Sequence, residues 1–370
     1  MIRGSLKTSP SFRIAAAAGL ALVLLSSLFA AGCGDASSGA MPPTTAGSTA
    51  TSVATETTAV TSVAAAPELP QVDLMMDWIP WVLDILVDVA QAKGFYAARG
   101  LTVHQTIPAG ATDVVKFVAT GKSQFGLYYS PDMLMALDAG SSLVSVAALM
   151  AHAPVGMAFK PGLTADSPAA LAGKVASVPL IPSTRASFDS MLASAGVKPD
   201  SVKVVDPGFE LVAPLLTGTV DSAAFTEFGE LVQAEAQGER LSYLDFRDYG
   251  TPDYAFLDLI MTQDFAKTNP NTTRAFVRAT CEGLEYAAAN PDEAVAIYVK
   301  AHSELDPVLL LAQWKAAVAS LGLAQDGHPT GWQDLKSWAD LNTWMKSAGL
   351  IKEPLDLVPA VTNQYLDAER

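Results

Sequence analysis

Cysteine is nearly absent: 370 residues contain two. Cys33 stands at the end of an apolar leader, so Cys281 is the one cysteine inside the foldable part. One cysteine cannot make an internal disulfide, and Cys281 on a predicted helix is expected to be a buried apolar residue. Histidine is scarce as well. The four, His104, His152, His302 and His328, show no metal-ligand spacing, so no metal site is expected. Basic charge is outnumbered, 23 Lys and Arg against 38 Asp and Glu, a net charge of −15. That balance argues against nucleic acid as a partner and against electrostatic adhesion to anionic lipid. The chain has no Gly-x-Ser-x-Gly elbow, no Walker phosphate loop and no Gly-x-Gly-x-x-Gly after a strand. No catalytic set and no cofactor are expected, so an enzyme is not.

The one long apolar run is at the N-terminus. Arg3, Lys7 and Arg13 precede apolar residues from Ile14 to Phe29, followed by Ala30-Ala31-Gly32-Cys33. This is the layout of an export signal, and its end resembles the bacterial lipobox. Residues 1–32 are therefore read as a lipoprotein signal peptide, with lipidation of Cys33 fixing the chain to the outer face of the cell membrane. Residues 33–68 are Ser, Thr, Ala, Pro and Gly with few large apolar side chains, a composition that cannot offset its ordering entropy. They are read as a flexible tether.

Half of the whole chain is apolar, and the part beyond the tether is long enough for two domains. Val72, Leu74 and Met76 alternate, which predicts a strand. Asp77-Trp78-Ile79-Pro80-Trp81 comes next. Val82, Ile85, Leu86 and Val89 then recur at helical spacing, with Asp84, Asp88 and Gln91 on the opposite, solvated side. Asp77 and Trp78 thus fall where a strand ends and a helix begins, the edge at which open α/β sheets bind ligands. The same strand-to-helix alternation recurs through residue 250, in two units, and mainly helices come after Met261. An α/β fold with largely parallel sheets is expected.

Polar and aromatic residues gather at several of these strand ends. They are Asp77 and Trp78; Tyr128, Tyr129 and Ser130; Ser183, Thr184 and Arg185; Phe228 and Glu230; and Tyr254. Aromatic faces with a few directed polar groups suit a flat heteroaromatic ligand. The helix start at Ser183 with Arg185 beside it suits an anionic group instead. Both readings stand at this level.

Several segments together resemble a known family. They are Asp77-Trp78-x-Pro80, Gly94-Phe95-Tyr96, Gly100-Leu101-x-Val103 and Phe125-Gly126; then Leu171-x-Gly173-Lys174-Val175, Gly218-x-Val220-Asp221 and Gly250-x-Pro252-x-Tyr254; then Asn269-Pro270, Asn290-Pro291-Asp292-Glu293-Ala294 and Gly331-Trp332. In this order, over roughly residues 70–352, they resemble solute-binding proteins of bacterial ABC importers. The subgroup is that of the thiamine-pyrimidine synthases and the binders of pyrimidine precursors, riboflavin, sulfonates and nitrate. The resemblance implies a two-lobed periplasmic-binding-protein type II fold, with lobe 1 from 69–157 plus 251–366 and lobe 2 from 158–250. It implies a monomer that hands a small molecule to permease and ATPase subunits by hinge closure. It maps the pyrimidine-binding Asp-Trp onto Asp77 and Trp78, and an aromatic-x-Glu element onto Phe228 and Glu230. The chain departs from the synthases, whose cysteine-rich motif and histidine donor it lacks.

Overall fold

The computed structural model describes residues 65–110, 113–208 and 210–366. The expected signal peptide, Cys33 and nearly all of the expected tether lie outside them. The tether expected through 68 ends sooner, because Glu68 is docked: its carboxylate accepts from the backbone amides of Asn271 and Thr272 at 3.1 and 2.8 Å. These amides open the helix Pro270–Ala289, whose first donors have no partner within the helix.

Ten strands form two sheets. β1 (Gln71–Met75), β2 (Thr102–Thr106), β3 (Phe125–Tyr128), β4 (Leu143–Met150) and β10 (Leu257–Thr262) make the first. β5 (Val155–Phe159), β6 (Val175–Ser177), β7 (Lys203–Val205), β8 (Ser222–Thr226) and β9 (Tyr243–Asp245) make the second. Their orders are β2-β1-β3-β10-β4 and β7-β6-β8-β5-β9. Both sheets share one plan. In the first, β1 pairs parallel with β2 and β3, and β10 is inserted antiparallel between β3 and β4. In the second, β6 pairs parallel with β7 and β8, and β5 is inserted antiparallel between β8 and β9. In each lobe the opposed strand is the one the chain enters on crossing from the other lobe. The remaining strands of each sheet share one direction, as the alternating pattern predicts.

The crossings differ in detail from expectation. The first is expected near 158. Because Val155, Gly156 and Met157 already pair with β8, it lies instead in 151–154. The return runs through 250–256, ahead of β10.

The first lobe carries most of the core. Phe125 on β3 stacks on Phe276 at 3.8 Å between centroids, joining the sheet to the long helix Pro270–Ala289. That helix also lies against the helix Ile85–Ala92, where a side chain at Gly283 would meet the Leu86 carbonyl at 2.4 Å. The expected amphipathic pattern of this segment holds on one side only. Val82, Ile85, Leu86 and Val89 are buried, but so are Leu83 and Val87 on the other side, and Asp84 with them at 2 % exposure. With helices packed on both flanks, the solvated face predicted for Asp84 does not exist at that position. Cys281 is buried, and burial pushes its thiol up to about 12. No helix among the described residues is long and apolar enough to cross a membrane.

Candidate functional site

The carboxyl ends of β1, β3, β6 and β8 face one cleft between the lobes, and each delivers part of its wall. β1 ends at Met75, and two residues later Asp77 and Trp78 begin the turn into the 3-10 segment Val82–Asp84. β3 ends at Tyr128 and passes directly into the helix Ser130–Asp138, with Pro131 in its first turn. A proline is tolerated there because no amide donor is needed. β6 leads through Pro179 and Ile181 to the helix Pro182–Ser194. β8 leads to Thr226, Gly229 and Glu230.

Together they line one solvent-connected pocket between the lobes. Trp78, Trp81, Tyr129, Phe225, Phe246, Tyr254 and Phe256 supply aromatic surface. Ser183, Thr184, Ser187, Thr226 and Glu230 supply the polar groups. Among the described residues Glu230 is the one charged side chain in the lining, and no Lys, Arg or His belongs to it.

Glu230 is held before any ligand arrives. Its Oε2 accepts from the Thr226 amide at 2.8 Å and the Thr226 hydroxyl at 2.7 Å, and that hydroxyl oxygen also accepts from the Gly229 amide at 3.0 Å. A side chain at Gly229 would meet Thr226 Oγ1 at 2.4 Å, so the turn admits only glycine without rearrangement.

Asp77 does not line the cleft. It is fully buried behind the wall, accepting from Trp81 Nε1 at 3.3 Å and from the Tyr129 hydroxyl at 3.1 Å. Burial raises its carboxyl to about 6, against the pull of these two donors. Asp77 therefore orients two cavity-lining rings. The rings continue as a chain from Tyr129 to Phe256 (5.1 Å), Phe256 to Phe228 (6.3 Å) and Phe228 to Trp81 (5.7 Å), linking the first lobe, the returning crossing and the second lobe.

Of the candidates read from the sequence, Trp78, Tyr129, Ser183, Thr184, Glu230 and Tyr254 line the cavity. The others do not. Tyr128 turns into the core, as strand alternation requires once Tyr129 faces the cleft. Ser130 is buried and its hydroxyl bonds the Ala255 carbonyl and Asp258, tying the start of the helix Ser130–Asp138 to β10 and the residues before it. Phe228 is 1 % exposed and backs the wall instead of facing the ligand space. Arg185 pairs with Asp189 one turn along its own exposed helix face, both Asp189 oxygens lying 3.0 Å from its Nε. The anion site expected at this helix start loses its cation as a result. Ser183 is also engaged, donating at 2.8 Å to Asp132 of the first lobe. Sequence reasoning misses Trp81 and Phe256. Trp81 reads as part of an apolar helix face and Phe256 as part of a strand, and neither carries a polar neighbour to mark it.

Residues 85–294, more than half of the chain, match the NMT1/THI5-like family. The protein belongs to that family. It is 29 % identical over 290 residues to the formylaminopyrimidine-binding protein of Halalkalibacterium halodurans, covering 78 % of this chain and 88 % of that one. It is 28 % identical over 328 residues to the riboflavin-binding protein RibY of Chloroflexus aurantiacus, covering 86 % and 92 %. The solved periplasmic aliphatic sulphonate-binding protein SsuA of Escherichia coli superposes with a TM-score of 0.62 at 14 % identity, covering 80 % of this chain and 92 % of that one. That last likeness establishes the two-lobed periplasmic-binding-protein fold. This family member keeps the fold and fills its cleft with aromatic rings.

Proposed function

We propose that this protein is an extracytoplasmic solute-binding lipoprotein that captures a small, flat heteroaromatic molecule and delivers it to an ABC import permease. The ligand is of the thiamine-pyrimidine or flavin kind, and it is carried, not transformed. The observation that carries this reading is the lining of the cleft: aromatic faces, one carboxylate and, among the described residues, no cation. Trp78 and Trp81 stack on the ring. Glu230, its Oε2 satisfied by Thr226, keeps Oε1 for a ring amine. Ser183 and Thr184 complete the polar rim from the second lobe. The relatives named for a formylaminopyrimidine and for riboflavin support this class of cargo.

Closure of the two lobes would be favoured by any ligand that touches both. Bonds flanking the cleft support a closed arrangement here: Ser183 to Asp132 (2.8 Å), Trp344 Nε1 to Ser190 (3.3 Å), and Gln313 Nε2 to the Gly229 carbonyl (3.1 Å). Lipid on Cys33 would keep the closed protein near its permease.

The sulfonate or nitrate alternative needs a cation facing the cleft. Arg185, the candidate for it, is occupied by Asp189. Calorimetry with a formylaminopyrimidine, 4-amino-5-hydroxymethyl-2-methylpyrimidine, riboflavin and an alkanesulfonate separates the readings. Saturable binding of one of the three heteroaromatics and none of the sulfonate is expected. Binding of the sulfonate alone would overturn the assignment, and formation of a thiamine pyrimidine by the purified protein would restore the synthase reading.

A further inference from the structure

The turn that carries Glu230 is held from both lobes and from a crossing. The Thr226 amide and hydroxyl hold Glu230 Oε2 from within the second lobe. The Glu227 amide donates to the Pro154 carbonyl on the first crossing at 2.9 Å. The Phe228 ring lies 5.7 Å from the Trp81 ring of the first lobe. The Gly229 amide donates to Thr226 Oγ1, and the Gly229 carbonyl accepts from Gln313 Nε2 at 3.1 Å. Gln313 is half-buried and does not line the cleft. It stands on the helix Pro307–Ala317, which is fixed to the first lobe: the adjacent Trp314 is fully buried and donates through Nε1 to the Ala287 carbonyl at 2.8 Å. The same helix packs on the 3-10 segment Val82–Asp84 that follows Trp81.

We propose that Gln313 is a positioning residue for Glu230 and acts through Gly229, so that the first lobe sets the carboxylate with which the second lobe reads the amine of the ligand. The inference rests on the reading of Glu230 as the group that accepts from a ring amine. The carbonyl that Gln313 holds belongs to the peptide unit joining Gly229 to Glu230. That unit is planar and turns as one piece, so fixing its oxygen fixes the direction in which the Glu230 side chain leaves the backbone. Glycine restrains its own dihedrals least, and the 2.4 Å approach of Thr226 Oγ1 keeps position 229 a glycine. The restraint therefore comes from outside the turn, through Gln313. With the lobes together the peptide plane is fixed and Glu230 Oε1 faces the cargo. As they part, Gln313 leaves with the first lobe and the plane is freed. Amine recognition is thus a property of the closed form, and a ligand without an amine gains nothing from Gln313.

The test compares two probes on one variant. Gln313→Met keeps the length of the side chain and cannot donate. By calorimetry it should raise the Kd of 4-amino-5-hydroxymethyl-2-methylpyrimidine about three- to tenfold, the net worth of one hydrogen bond, and leave the Kd of the analogue with a methyl group in place of the amine within about twofold. Equal losses with both probes would mean that Gln313 only holds the lobes together, and no loss with either would mean that it does nothing for the site. Both results overturn the proposal. A second readout uses the protein without ligand. The Thr226 amide, whose acceptor is Glu230, should exchange its hydrogen at least about threefold faster in Gln313→Met. The Val175 amide, which donates to Asp221 in the same sheet, should keep its rate. A purely structural loss would speed both, and that too overturns the proposal. If the wild type binds neither probe, the functional reading fails, and the Thr226 exchange rate still decides whether Gln313 sets the turn.

Discussion

Thr226 determines what Glu230 can do. By occupying Oε2 with two donors it removes the side chain's freedom and leaves one oxygen to meet cargo. Glu230→Gln keeps the shape and loses the charge. It should weaken binding of an aminopyrimidine by about 1.5–3 kcal/mol, the range for hydrogen bonds to charged groups, with the melting temperature unchanged. Trp78→Ala should cost about 1–3 kcal/mol, as removing an aromatic platform does where bases stack. Calorimetry on the two variants checks both. These two residues are legible in the sequence because each comes after a strand end at a recognisable turn. Sequence alone does not separate Trp78, which faces the cleft, from Asp77, which stands behind it, since adjacent residues at a strand end share every local signal. Asp84 is misplaced by sequence for a related reason. Its helical spacing puts it opposite the apolar stripe, and only the second layer of packed helices shows that the opposite side is buried too.

At the scale of elements, the helix Pro182–Ser194 does more than present Ser183 and Thr184 to the cleft. Through Ser183 it reaches Asp132 on the helix Ser130–Asp138 of the other lobe, and both groups are buried. Burial raises Asp132 to about 6, and the Ser183 bond offsets part of that rise. A carboxyl raised in the fold binds its proton more tightly than in the unfolded chain. Its contribution to stability is complete below the unfolded value near 4 and is lost as pH rises through about 6. Asp132→Asn should therefore remove part of the loss in melting temperature between pH 4.5 and 7.5. Ser183→Ala strands a buried carboxyl, so it should destabilise the closed form by about 1–3 kcal/mol and weaken ligand binding accordingly. The close helix pair is a separate element-scale device. Gly283→Ala would drive a methyl into the Leu86 carbonyl at 2.4 Å and Ala90 Cβ at 2.7 Å, and should cost about 1–3 kcal/mol in urea unfolding. That glycine is visible in the sequence, but its reason is not. The two helices are far apart along the chain, and no local pattern reports which of them meet.

For the molecule as a whole, two crossings join one lobe to the other. They are joined to each other. His152 on the first lies 2.6 Å from Asp253 on the second, and the Asp253 carboxylate also accepts from the Ala153 amide at 3.2 Å. Arg247 of the second lobe, 3.8 Å from Asp253, pairs with Asp245 as well. The alternating pattern predicts two lobes, and the family resemblance two crossings. Neither predicts that a histidine with no ligand spacing ties the crossings together. The bond to Asp253 raises the His152 imidazole above its usual value. Burial pushes Asp253 up, but the bonds from His152 and Ala153 outweigh it and hold the carboxylate low. For a raised histidine the stabilisation is complete below the unfolded value near 6.5 and vanishes as pH climbs through the folded one. For a lowered aspartate it is complete above the unfolded value near 4 and is lost as pH falls through the folded one. The pair thus ties the two crossings most strongly between about 4 and 6.5, and less toward alkaline pH. Both side chains are more than a third exposed, so solvent screening keeps the effect modest. His152→Ala should narrow the difference in urea midpoint between pH 5.5 and 8.5. Because His152 stands on a crossing and outside the cleft, the same variant should change the open–closed balance seen by small-angle scattering while leaving cargo selectivity as it was. A change in which ligands bind would instead place His152 within the reach of the cargo.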